Sequence, residues 1–164
     1  MTVDKTKRIL TIYCLFNDCE EVEYREITDY ISVSKKTIQR DMHFLKQAGL
    51  IRYTFDRKAK AFIPQKAIDT KPIFPKNTVK RRYMERIIRL CRIITNIDGV
   101  DDPIEWYNEQ FPGLSARTRQ RDFLLLNELG VCIKYCPTDG FTAGYWQCNF
   151  SGAYSLRTIT KNNM

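Results

Sequence analysis

The sequence predicts an α+β fold, mainly helical, made of two tandem units that each hold three helices and a β-hairpin. Three observations predict it. The stretch VSKKTIQRDMHFLKQAGLIRY at 33–53 returns in relaxed form as LSARTRQRDFLLLNELGVCIKY at 114–135, about 81 positions later, with seven identities over 17 aligned positions. Apolar residues recur at helical spacing ahead of each copy. Each copy is followed by two strand-like runs around a polar turn.

The elements follow in order. KTKRILTIYCLFND has apolar residues at 9, 10, 12, 13, 15 and 16, close to a helical stripe. EYREITDYI sets Ile27, Tyr30 and Ile31 on one side of a short second helix. Ser34 caps a third helix running to about Ala48, and Gly49 stops it, because a left-handed residue after a helix costs Gly little. LIRYTF and AFI read as strands around the turn DRKAK. In the second unit, TVKRRYMERIIRLCRIITN places Tyr83, Ile87, Leu90, Ile94 and Ile97 at helical spacing. PIEWYNEQF starts on Pro103, a favoured first-turn residue, and Ser115 caps a third helix that ends before Gly130. VCIKY and GYWQCNF are strands around CPTDG. The expected boundaries are 1–64 for the first unit and 79–155 for the second. The stretch PQKAIDTKPIFPKNT, which begins at Pro64 and holds three prolines, reads as a linker with expected bounds 65–78. LRTITKNNM reads as a frayed tail.

The chain has 164 residues, 43% of them apolar, which is material for one core or two small ones. No apolar run is long enough to cross a membrane, and the N-terminus lacks the apolar stretch and cleavage site of a signal peptide. The expected compartment is the cytoplasm. Six cysteines form no CxxC pair, and the only histidine, His43, is far from Cys132, Cys136 and Cys148. That trio lacks a fourth zinc ligand, so small thiols in a reducing environment are the better reading. No metal and no cofactor is expected. The net charge is +8 and the pI about 9.2, a balance common in proteins that meet phosphates. Residues 1–80 hold 16 Lys/Arg against 10 Asp/Glu, while 81–164 hold 11 against 9, so the excess lies mostly in the first half.

A short helix, a tight turn, a Ser-capped helix and a hairpin describe a winged helix-turn-helix. Val33, Ser34, Thr37, Ile38, Arg40, Asp41, Leu45 and Gly49 resemble the motif of bacterial DeoR-type regulators, with Met42 at a Leu position. The resemblance covers about 60 residues per copy and implies sequence-specific binding of double-stranded DNA and transcriptional control. It also implies that the hairpin tip, with Arg57, Lys58 and Lys60, reaches the neighbouring minor groove or backbone. DeoR-type regulators usually carry a large domain for a small-molecule effector, and no such domain is expected within these 164 residues.

The residues themselves support a nucleic-acid face. At 100° per residue, Ile38, Met42, Leu45 and Ala48 fall on one side of the third helix. Lys36, Gln39, Arg40, His43 and Gln47 fall on the other, with no carboxylate or large aliphatic among them. Arg or Lys can donate to guanine O6 and N7, and Gln can pair with adenine. Ser34, Lys35 and Thr37 belong to the helix start, which favours a backbone phosphate. Lys7 and Arg8, at the start of the first helix, are weaker candidates for phosphate contact. In the second copy, Arg117, Thr118, Gln120 and Arg121 keep the basic first turns. However, Leu124 and Glu128 replace His43 and Gln47, Arg119 stands where Ile38 stands, and the turn CPTDG carries no cation. The second unit therefore either holds DNA through phosphates or serves as a packing or dimer module. Asp41 and Asp122, near the apolar side, read as ion-pair or hydrogen-bond anchors. Trp106, Tyr107, Tyr145, Trp146 and Phe150 read mostly as core, with an interface role open to a cluster in 141–154.

The leading reading is a DNA-binding transcriptional regulator, with a homodimer left open. A phage or plasmid replication-initiator or partition protein and a winged-helix protein-interaction module are the alternatives. An enzyme is disfavoured, because no phosphate-cradling Gly loop, nucleophile elbow or metal cluster is legible.

Overall fold

The computed structural model describes residues 4–66 and 70–156; the expected frayed tail lies largely in 157–164, outside them. The described residues form an α+β fold of six α-helices and two small antiparallel sheets. Their order is α1 (Lys5–Asp18), β1 (Val22–Glu23), α2 (Tyr24–Tyr30), α3 (Lys35–Gln47), β2 (Arg52–Asp56), β3 (Ala61–Gln65), α4 (Thr78–Asn96), α5 (Pro103–Gln110), α6 (Ala116–Leu129), β4 (Cys132–Cys136) and β5 (Tyr145–Asn149). A 3-10 turn, Gly152–Ser155, follows β5.

Helix starts have local causes. The Asp4 carboxylate accepts from the amides of Thr6 and Lys7 at 2.8 and 3.0 Å, and Asp102 accepts from Ile104 and Glu105 at 2.9 and 3.0 Å. Ser34 accepts from the Thr37 amide at 3.3 Å and Ser115 from the Thr118 amide at 3.2 Å, so α3 and α6 begin alike. They also end alike: Gly49 has φ +72° and Gly130 has φ +109°.

β3 is the middle strand of the first sheet, pairing with β1 and β2 on its two sides. Phe62 on β3 stands opposite Phe55 and Val22, and its ring lies 5.0–5.9 Å from those of Phe16, Tyr24, Tyr53 and Phe55. The two-residue β1 is too short to carry a periodic signal and was not expected. The second sheet has two strands, β4 and β5, with Ile133 opposite Cys148. There the Gly99 amide donates to the Cys148 carbonyl at 3.0 Å.

The buried side chains form one continuous cluster drawn from both halves. α1 is its centre, packing against α3, α4, α6 and the 3-10 turn. It is buried nearly all round, from Thr6 and Arg8 through Ile9, Leu10, Thr11, Ile12, Tyr13, Cys14, Leu15 and Phe16. A helix buried on nearly every side belongs inside a core rather than at its edge. Residues 70–77 have no regular structure but are not detached. The Ile73 amide donates to the Gln47 carbonyl at 2.8 Å, tying this segment to the end of α3. Leu156, read from sequence as the start of the tail, is buried beside Ala153 and joins the core. No helix among the described residues is long and apolar enough to cross a membrane.

Candidate nucleic-acid interface

α3 presents two faces, as its sequence period requires. Ile38, Met42, Leu45 and Ala48 are buried, whereas Lys36, Gln39, Arg40, His43 and Gln47 are exposed. One side chain breaks the pattern: Asp41 is only 3% exposed. A carboxylate that deep requires a partner, and Arg8 of α1 supplies it through Nε, with a second contact from Nη2 to Asp41 Oδ1 at 3.2 Å. This bidentate pair fixes the roll of α3 about its own axis. It also corrects the reading of Arg8 as a phosphate contact, since its guanidinium is buried against Asp41. Lys7 is likewise occupied, with Nζ 2.5 Å from Glu128 on α6.

Above this pair lies an open groove of about 620 Å³, lined by Lys5, Arg8, Lys36, Thr37, Gln39, Arg40, Asp41, His43, Phe44 and Gln47. Four cations stand there against one carboxylate, which Arg8 already holds. Lys36, Arg40 and His43 are exposed and have no ion-pair or hydrogen-bond partner among the described residues. Lys35 and Gln39 turn towards α2 instead: Lys35 Nζ lies 4.5 Å from the centre of the Tyr24 ring, and Gln39 Nε2 donates to the Tyr24 hydroxyl at 3.0 Å. The hydroxyls of Ser34 and Thr37 bond each other at 3.0 Å at the helix start. Lys5 sits over the rings of Tyr83 and Phe44 at 4.9 and 5.9 Å. Tyr24 and Lys5 escaped the sequence reading because each lies on a different element from the motif it serves.

Arg57, Lys58 and Lys60 are exposed at the β2–β3 tip and do not line this groove. Asp56 accepts from the amides of Lys58 and Ala59 at 2.8 and 3.2 Å, and Lys60 adopts φ +54°, so the tip is a structured turn.

The second unit repeats the anchor. Asp122 is 1% exposed and accepts from Arg89 Nε at 2.7 Å and Nη2 at 3.3 Å, with Arg86 Nε at 3.7 Å. Tyr107, fully buried where the first unit has Ile27, donates its hydroxyl to Asp122 at 2.8 Å. Burial is the largest single influence on Arg89 and opposes its charge, but the hydrogen bond and charge of Asp122, with the Tyr107 phenol, together outweigh it, so the guanidinium pKa is raised. Burial, reinforced by the bond to Asp122, likewise pushes the Tyr107 phenol up. The sequence reading of Asp41 and Asp122 as anchors is what the structure contains. Arg117, Gln120 and Arg121 are exposed, and Thr118 is half-buried against Ser115. Arg119 is not core: its Nη1 donates to Asn108 Oδ1 on α5 at 3.0 Å, a strut between two helices. Leu124 is 63% exposed.

All six cysteines are free, with Cys14, Cys91 and Cys148 buried, and no group of potential metal ligands occurs among the described residues. Burial pushes the Cys148 thiol up to about 11, the reverse of what a nucleophile or metal ligand needs. No protein-family model, characterised protein or solved structure matches the chain, so the functional reading stands on the chemistry of these residues.

Proposed function

We propose that the chain is a sequence-specific double-stranded DNA-binding protein, a transcriptional regulator of tandem winged helix-turn-helix arrangement, whose helix α3 enters the major groove. The observation that carries this is the face of α3 itself. Lys36, Arg40 and His43 line one groove without partners among the described residues, and the single carboxylate there is spent on Arg8. Unpaired donors on a helix of rigid roll match a base edge or a phosphate, both of which present acceptors. The cations at the β2–β3 tip extend the positive surface beyond the helix, towards flanking backbone. Operation in the cytoplasm agrees with this role.

Selection of bound fragments from a genomic library, followed by anisotropy titration, tests the reading. Binding is expected to weaken with salt, with a log–log slope near −0.9 for each neutralised phosphate. The Lys36→Ala/Arg40→Ala protein is expected to lose about 100-fold or more in affinity, since each good base contact is worth about 1–3 kcal/mol. Wild-type affinity in that variant would sink the reading. A second reading, a protein-interaction module, draws on the exposed aromatics of the second unit: Phe141 is 97%, Tyr154 94% and Tyr145 58% exposed. Absence of binding to any duplex at low salt would favour it.

A further inference from the structure

A second open cavity, of about 440 Å³, lies between α4 and α6 and is lined by Arg86, Arg89, Thr118, Arg121 and Asp122. Each of these residues stands about 81 positions after a residue of the α3 groove: Lys5, Arg8, Thr37, Arg40 and Asp41. The duplication therefore preserved a specific set of side chains as well as a fold. We infer that this cavity is a phosphate site, through which the second unit grips the backbone of the duplex that α3 reads, without reading bases itself. The inference rests on the DNA-binding role proposed for α3.

The charge arithmetic favours an anion. Three arginines face one carboxylate, and Asp122 is already saturated by Arg89 and the Tyr107 hydroxyl. Arg86 reaches Asp122 only at 3.7 Å, beyond hydrogen-bond distance, so its donors are largely unspent. Arg121 is exposed and has no partner among the described residues. Two guanidinium groups with free donors, converging on one opening, suit an oxyanion that accepts several charge-assisted hydrogen bonds.

Base reading is disfavoured by what lies further along the helix. The α3 groove continues past Asp41 to His43, Phe44 and Gln47, whereas the second cavity stops at Asp122. Beyond it, α6 offers the exposed Leu124, which has no polar atom to donate, and Glu128, which is held by Lys7 and would repel a phosphate. The β4–β5 loop adds no cation, since residues 136–145 contain neither Lys nor Arg.

The test is anisotropy of the full chain on its selected duplex over a range of salt, comparing wild type, Arg86→Gln/Arg121→Gln and the single variant Arg121→Glu. The exposed position of Arg121 keeps the single variant's fold safe, and circular dichroism checks both. Affinity is expected to fall about tenfold or more in each, and the salt slope to fall by roughly 1–2 in the double variant, as removal of phosphate contacts requires. The ranking of duplex sequences is expected to stay unchanged. Wild-type affinity and slope in both variants, with Lys36→Ala/Arg40→Ala still defective, would overturn this inference and leave the role of α3 standing. Wild-type binding by Lys36→Ala/Arg40→Ala would remove both. A changed ranking would overturn the claim that no base is read. Inorganic phosphate is titrated against the DNA-free protein while the arginine side-chain NMR signals are followed. Saturation of Arg86 and Arg121 at micromolar phosphate would mark a free-anion site and overturn the backbone assignment; weak millimolar shifts are expected.

Discussion

Asp41 and Asp122 show how one residue type fixes the roll of a helix. Each lies on the apolar side of its helix, where a charge is costly, and each meets an arginine 33 positions earlier, on the first helix of its unit. The lone arginine left by a missing partner would be a half-solvated or buried charge. Asp41→Ala is therefore expected to destabilise by about 3 kcal/mol, as removal of one member of a buried pair does. The double replacement Arg8→Met/Asp41→Leu is expected to cost less than Asp41→Ala alone, because it strands no charge. Chemical denaturation of the three proteins checks the order, and a costlier double variant would refute it. The two anchors differ in depth of support: Asp122 accepts from the Tyr107 hydroxyl as well as from Arg89.

At the scale of the element, the recurrence of glycine after α3 and α6 has a cause beyond the left-handed turn. A Cβ on Gly49 would lie 2.6 Å from the Thr70 carbonyl oxygen, and one on Gly130 would lie 2.2 Å from that of Ser155. In both units the chain that leaves the hairpin returns across the end of the third helix, and glycine leaves room for it. Gly130→Ala is expected to cost about 2–3 kcal/mol, combining a positive-φ penalty with displacement of the 3-10 turn from its packing. A thermal melt within a degree of wild type would show that this crossing is dispensable. The glycine positions were legible in the sequence, but only as helix stops. Their second task was not, because the segments that cover them are carried there by the fold.

For the molecule as a whole, the placement of α1 decides how independent the two units are. Its side chains enter the core from every side, and it touches α3 of its own unit as well as α4 and α6 of the other. The Lys7–Glu128 ion pair and the contact of the Thr6 hydroxyl with that of Tyr83, at 3.3 Å, lie on the same junction. Cutting the chain at the linker would expose apolar residues of α1 and α4 together. The fragment 1–66 is expected to lack a cooperative melt of its own, while the whole chain unfolds in a single transition. Calorimetry of both checks this, and a fragment that melts as sharply as the intact chain would sink it. The same junction bears on function: rigidly joined units would present the α3 face and the Arg86–Arg121 cavity with a fixed spacing.

The sequence by itself determined the helices, the hairpins, their duplication and the polar face of α3. The elements depend on local spacing, on caps such as Ser34 and Ser115, and on stops such as Gly49 and Gly130, and the duplication on recurrence of the same pattern about 81 positions later. The exposed cations Lys36, Arg40, Arg57, Lys58 and Lys60 were legible for the same reason. Only the tertiary structure decided that Arg8 is an anchor rather than a surface charge, that Tyr24 holds Lys35 and Gln39, that Arg86 completes a second basic cavity, and that one core serves both units. Those outcomes depend on which side chains from distant segments meet, and local periodicity carries no information about a partner brought in by folding.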